Sequence, residues 1–166
     1  MTALHRGLRH PGPPAYERRE VAATRLQPLE GNLAAGGVLM EEVTRLFDEA
    51  GCKGGLLWFD GMTADPFRYV LPALSTDGVH AAYYSETHAP SGLVTLGSAV
   101  AIVGWRDGVR FLHCHGEWRM EDGTTAMGHL LPLESRVAKL ATVRGLGASE
   151  AWFEALPDAE TAFTLF

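Results

Sequence analysis

The sequence predicts an α+β fold: a mostly antiparallel β-sheet with one main helix packed on it. Three observations carry this. Residues 38–50 repeat apolar positions at three- and four-residue steps, in Val38, Leu39, Val43, Leu46 and Phe47, the period of one helix face. From Phe67 onward, short apolar runs alternate with STDG, HAPSG, RDG and EDG, each with turn chemistry. The chain has 166 residues, 46% hydrophobic and 20% charged, which suits one domain with a real core better than two small ones. One early helix followed by hairpins gives a sheet with helical cover.

Taken in order, residues 1–20 carry PGPP and scattered arginines and read as a flexible N-terminal arm. VAATRLQPL, residues 21–29, fits a first strand. GNLAAGG follows as a glycine-rich loop. It has neither a Lys-Ser/Thr pair nor G-x-G-x-x-G spacing, so a phosphate cradle is weakly supported. The helix comes next and closes on Gly51; Glu41, Glu42, Asp48 and Glu49 fall on its outer face. GLLWFDG, bounded by glycines, suits a buried strand. FRYVLPAL, VHAAYYSE, GLVTLGSAVAIVGW, VRFLHCHGEWRM and AMGHLL then read as strands. Asp107-Gly108 makes a hairpin between the two longest, and Glu121-Asp122-Gly123 makes the next. VAKLATVRGLG is another strand, residues 149–156 fit a short helix or a strand, and TAFTLF is a last strand.

Charge bears on function. The net charge is −6, and residues 1–25 hold five arginines against Glu17 and Glu20, so the remainder carries −9. Nucleic-acid binding draws most of its affinity from Lys and Arg neutralising phosphates. Direct nucleic-acid binding by such a domain is not expected, although the arginine-bearing arm could touch an acidic partner. No run reaches the ~20 apolar residues of a membrane helix, and MTALHRGLRH lacks the apolar segment of a signal peptide. The expectation is a cytoplasmic protein without a membrane association. Cys52 and Cys114 form no CxxC motif and no disulfide framework; both read as reduced and buried.

The stretch FLHCHGEWRMEDGTTAMGHLL, residues 111–131, holds three of the seven histidines. In a strand, His113 and His115 project from one face about 7 Å apart, with Glu117 next in line. Counting outward from the EDG turn brings His129 near the level of His115. Three imidazoles converging on one point, with one open position, describe a zinc-type site; the bland alternative is three histidines satisfied separately by backbone or solvent. Glu117 is the candidate catalytic residue, able to orient a ligand or act as a base on a metal-bound water; a surface strand glutamate is the plain alternative. His80 and His88 are even-spaced around VHAAYYSETH and share a face if that strand is regular, where they could add a ligand or line a pocket. Cys114 faces away from its neighbouring histidines, and no serine lies in a G-x-S-x-G elbow, so nucleophilic catalysis is weakly supported.

These residues resemble the PPC domain, the plants and prokaryotes conserved domain. The resemblance covers residues 24–166. It lies in TRLQPLEGN…VLMEEVTRLFDEAGCKGG, in FLHCH, in AMGHLL after an acidic-glycine turn, and in WFEALPDAETAFTLF. It implies that residues 21–166 are a single PPC-like domain assembled as a homotrimer, with a metal, usually zinc, held by His113, His115 and His129. The three-histidine pattern and the absence of a recognisable nucleophile point to a binding or regulatory role, with an unknown small-molecule ligand. Plant members carry AT-hooks, and prokaryotic relatives carry a presumptive DNA-binding label; HRGLRHPGPP has no Arg-Gly-Arg-Pro hook. The chain departs from the family pattern at Met127, where the return motif has glycine, and across residues 67–92. Two alternatives stand beside this one. GVRFLHCHGEWRMEDG is similar to the Gly…His-x-His…Glu run of cupins, with different spacing and no Pro-x-Gly second motif, which would suit a small zinc-dependent hydrolase or lyase. A DNA-binding protein is the other.

Overall fold

A computed structural model describes residues 10–15, 21–77 and 79–166. Its strands are β1 (Gln27–Leu33), β2 (Gly54–Trp58), β3 (Thr63–Ala64), β4 (Tyr69–Val70), β5 (Pro72–Leu74), β6 (Ala82–Tyr84), β7 (Val94–Arg106), β8 (Val109–Arg119), β9 (Thr125–Leu130), β10 (Ala141–Ala148), β11 (Glu154–Pro157) and β12 (Thr164–Leu165). The helix α1 spans Leu39–Glu49. The predicted class holds: one helix lies against a sheet of order β1-β10-β2-β7-β8-β9-β4, antiparallel along that path.

The core lies between α1 and the inner face of this sheet. Leu39, Val43 and Phe47 of the helix meet Leu33, Leu57, Ala101, Val103, Leu112 and Cys114 in one buried cluster. α1 begins without a side-chain cap; instead the carbonyls of Ser135 and Pro132 accept the amides of Leu39 and Met40. It ends in a Schellman arrangement, with Cys52 N–H donating to Phe47 O and Gly51 N–H to Asp48 O. Gly51 takes the φ of +64° this requires, as the sequence predicts.

β7 and β8 form the long central hairpin. Asp107 and Gly108 sit at φ +53° and +74°, the type I′ turn whose twist suits tight hairpins. Register runs from Arg106↔Val109 to Thr95↔Arg119, interrupted by a bulge between Leu96 and Ser98.

Three boundaries differ from expectation. The first strand begins at Gln27, and residues 21–26 are exposed. Pairing with β10 sets the strand's extent, and it runs on through Gly31 to Leu33. Gly31 therefore belongs to the strand and not to the loop: a Cβ there would collide with Leu46 of α1, so the missing side chain lets the helix lie close. Of residues 149–156, expected as a short helix or a strand, only the end is regular: β11 starts at Glu154, because it pairs in parallel with the end of β7, Glu154 opposite Trp105. The hairpin β5–β6 forms a separate two-stranded sheet, where longer strands were expected. Most of the arm predicted over residues 1–20 lies outside the described residues; within it, Gly12 N–H donates to Glu160 O and Ala15 N–H to Glu160 Oε2.

Candidate metal centre

The site is built on β8 and β9, on the face opposite α1. Alternation along β8 sends Leu112, Cys114 and Trp118 into the core and His113, His115 and Glu117 outward. The EDG turn, with Gly123 at φ +87°, returns the chain so that His115 stands directly opposite His129. The three histidines converge as the sequence predicts: one nitrogen from each lies within 4.8 Å of the others. His129 Nδ1 and His115 Nε2 are 3.2 Å apart, hydrogen-bonded. Ring centroids are 4.7 Å apart for His113–His129 and 4.8 Å for His113–His115.

Gly128 explains how His129 comes to be there. It faces β4, and a Cβ at this position would stand 2.6 Å from Val70 O and 3.0 Å from the Tyr69 ring. Only glycine lets β4 pair so closely with β9, Val70 opposite His129, and that pairing buries the imidazole to 8% exposure.

Burial sets the electrostatics. It lowers the pKa of His129 to about 4, with repulsion from His113 and His115 adding to the effect. Burial, then His115, lowers that of His113 in the same direction. Both are therefore neutral at pH 7, the form in which imidazole binds metals. Cys114, between the paired histidines in sequence, is buried on the other face and its thiol is pushed up to about 12; it has no part in the cluster.

The remaining predicted residues are placed differently. Glu117 shares the histidines' face, opposite Met127, but its carboxylate comes within 3.9 Å of where a Cβ on Gly97 would stand, at the β7 bulge. It is not among the converging ligands. His88 stacks on Tyr69, centroids 4.7 Å apart. His80 stacks on Phe163 and meets Asp77 Oδ2 at 2.6 Å. The shared face expected for these two depended on a regular strand, and β6 covers only Ala82–Tyr84; they do not join the cluster.

Aromatic neighbours that sequence reasoning did not single out complete the surroundings. The Tyr84 ring lies 5.1 Å from that of His129, and Phe166 stands edge-on to His113 at 6.4 Å. Both come from segments remote in sequence, so no local spacing marks them.

The fold is of PPC type, and it carries a cluster of three histidines that could hold a metal ion. The chain superimposes on a plant- and prokaryote-conserved (PPC) protein from Pyrococcus horikoshii with a TM-score of 0.70, at 17% identity, over 89% of this chain and 97% of that one. It matches a metal-containing protein from Archaeoglobus fulgidus with a TM-score of 0.68, at 19% identity, over 89% and 99%. A presumed DNA-binding protein from Ralstonia eutropha JMP134 follows, with a TM-score of 0.60, at 14% identity, over 82% and 88%. No protein-family model matches the sequence, and no curated protein does.

Proposed function

We propose that this chain is a PPC-family metal protein in which His113, His115 and His129 hold a divalent transition metal, zinc in the first instance, as a binding or regulatory centre. The convergence of three imidazole nitrogens within 4.8 Å carries the reading. Tetrahedral zinc with Zn–N bonds of about 2.0–2.1 Å puts neighbouring donors about 3.3 Å apart, and the His115–His129 pair already stands at 3.2 Å. Depressed pKa values keep His113 and His129 in the ligating form. The metal-containing Archaeoglobus neighbour agrees with this. Imidazole donors alone also suit Cu, Fe and Ni, so zinc is the expectation that the measurement must settle.

A homotrimer and a cytoplasmic setting with both cysteines reduced belong to the same proposal. No helix among the described residues is long and apolar enough to cross a membrane. A DNA-binding role is not adopted: beyond residue 25 the chain carries −9, a charge of the same sign as the phosphates. A hydrolase or lyase would need a base beside the metal, and the Glu117 carboxylate lies toward Gly97; a binding role is therefore preferred to catalysis.

The test is metal content of untagged protein by plasma mass spectrometry, wild type beside His113→Ala and His129→Ala. The expected result is about one zinc per chain, lost in both variants. A wild type that stays metal-free after reconstitution contradicts the proposal.

A further inference from the structure

The cluster opens toward a rim that metal binding itself does not require. On one side is Tyr84, carried by the β5–β6 hairpin and 48% exposed. On the other, Phe166 packs 5.3 Å from Phe111, which precedes His113 by two residues on the same face of β8. Above Phe111 stands the Arg106 guanidinium, 5.5 Å from the ring centroid. The rim therefore has aromatic walls and one cation.

Charge accounting then identifies what is missing. Three neutral imidazoles leave a bound divalent ion its full charge of about +2. No carboxylate among the described residues joins them. Asp107, which pairs with Arg106, is 3.8 Å away and almost wholly in solvent. A half-desolvated ion calls for a counter-charge, and on a chain of net charge −6 the ion, with Arg106 over the Phe111 ring, makes a local positive spot on an acidic surface. Hydroxide would satisfy the charge but not explain the rings.

We propose that the rim binds a small organic carboxylate with an aromatic or apolar body. Its carboxylate takes the open coordination position within the field of Arg106, and its body packs against Phe111, Phe166 and Tyr84. The inference rests on the metal reading above.

Cobalt(II)-loaded protein reports both, because its visible spectrum responds to a change of the fourth ligand. Acetate and benzoate are titrated at constant ionic strength, with cobalt content measured in parallel. Both anions should shift the spectrum, benzoate about tenfold more tightly than acetate through the rings. Arg106→Gln should weaken both about three- to tenfold at unchanged cobalt content, Arg106→Lys should restore much of the loss, and Tyr84→Ala should weaken benzoate alone. Bound cobalt whose spectrum neither anion moves overturns the inference and leaves the metal site standing. Equal affinity for the two anions, or an unaltered Arg106→Gln, also overturns it. Failure to bind cobalt overturns both proposals.

Discussion

At the scale of residues, the three imidazoles are set apart from the other described histidines by their convergence, and His129 among them by burial as well. His129 is held near a pKa of about 4, and His113 below its ordinary value of 6.5, both chiefly by desolvation. The unfolded chain protonates these groups near 6.5 and the folded one only at lower pH. Folding stability is therefore intact above about pH 6.5 and is lost as pH falls toward 4. His80 has the opposite sign. Its bond to Asp77 raises its pKa, so its contribution is full below 6.5 and lost as pH rises beyond it. Urea midpoints of metal-free protein at about pH 7 and about pH 5 separate the two. The midpoint should drop more steeply with acid in the wild type than in His129→Gln. Equal slopes would show that His129 titrates as it does in the unfolded chain.

At the scale of elements, the site depends on how closely three strands approach. Gly128 sets the distance between β9 and β4, because its absent Cβ is where Val70 O and the Tyr69 ring lie. Gly128→Ala should push these strands apart, destabilise the fold by about 1–3 kcal/mol and weaken metal binding, read by chelator competition. A variant that binds metal as tightly as the wild type would show that His129 is positioned without β4. Much of this arrangement was legible in the sequence. The period-two spacing of His113 and His115, the Asp-Gly and Glu-Asp-Gly turns and the count outward to His129 gave the face and nearly the register. The helix and its glycine stop were equally readable, since both are local signals. What was not legible depends on distant partners. β1 takes its limits from β10, residues 154–157 become strand because β7 extends past β2 to meet them, and Tyr84 and Phe166 reach the site across the sheet. Glu117 illustrates the limit: strand parity fixed its face, but the bulge at Leu96/Ser98 lies beside its carboxylate, and parity carries no information about that.

At the scale of the whole molecule, the face bearing the histidines is the one α1 leaves uncovered. Trp58, Val100 and Met127 lie on it with 37%, 43% and 67% exposure, a substantial apolar area beside the cluster. The proposed trimer would give that face something to pack against. Light scattering of the purified protein should return about three times the 18.0 kDa chain mass; a strict monomer would remove the assembly from the account and leave the site to function in one chain. The central claim, however, is that three imidazoles of a single chain hold a metal, and X-ray absorption at the metal edge of the as-purified protein tests it most directly. The account predicts nitrogen or oxygen neighbours at about 2.0–2.1 Å, with the outer-shell scattering of three imidazoles. A sulfur shell, a shell without imidazole scattering, or no bound metal at all would contradict it.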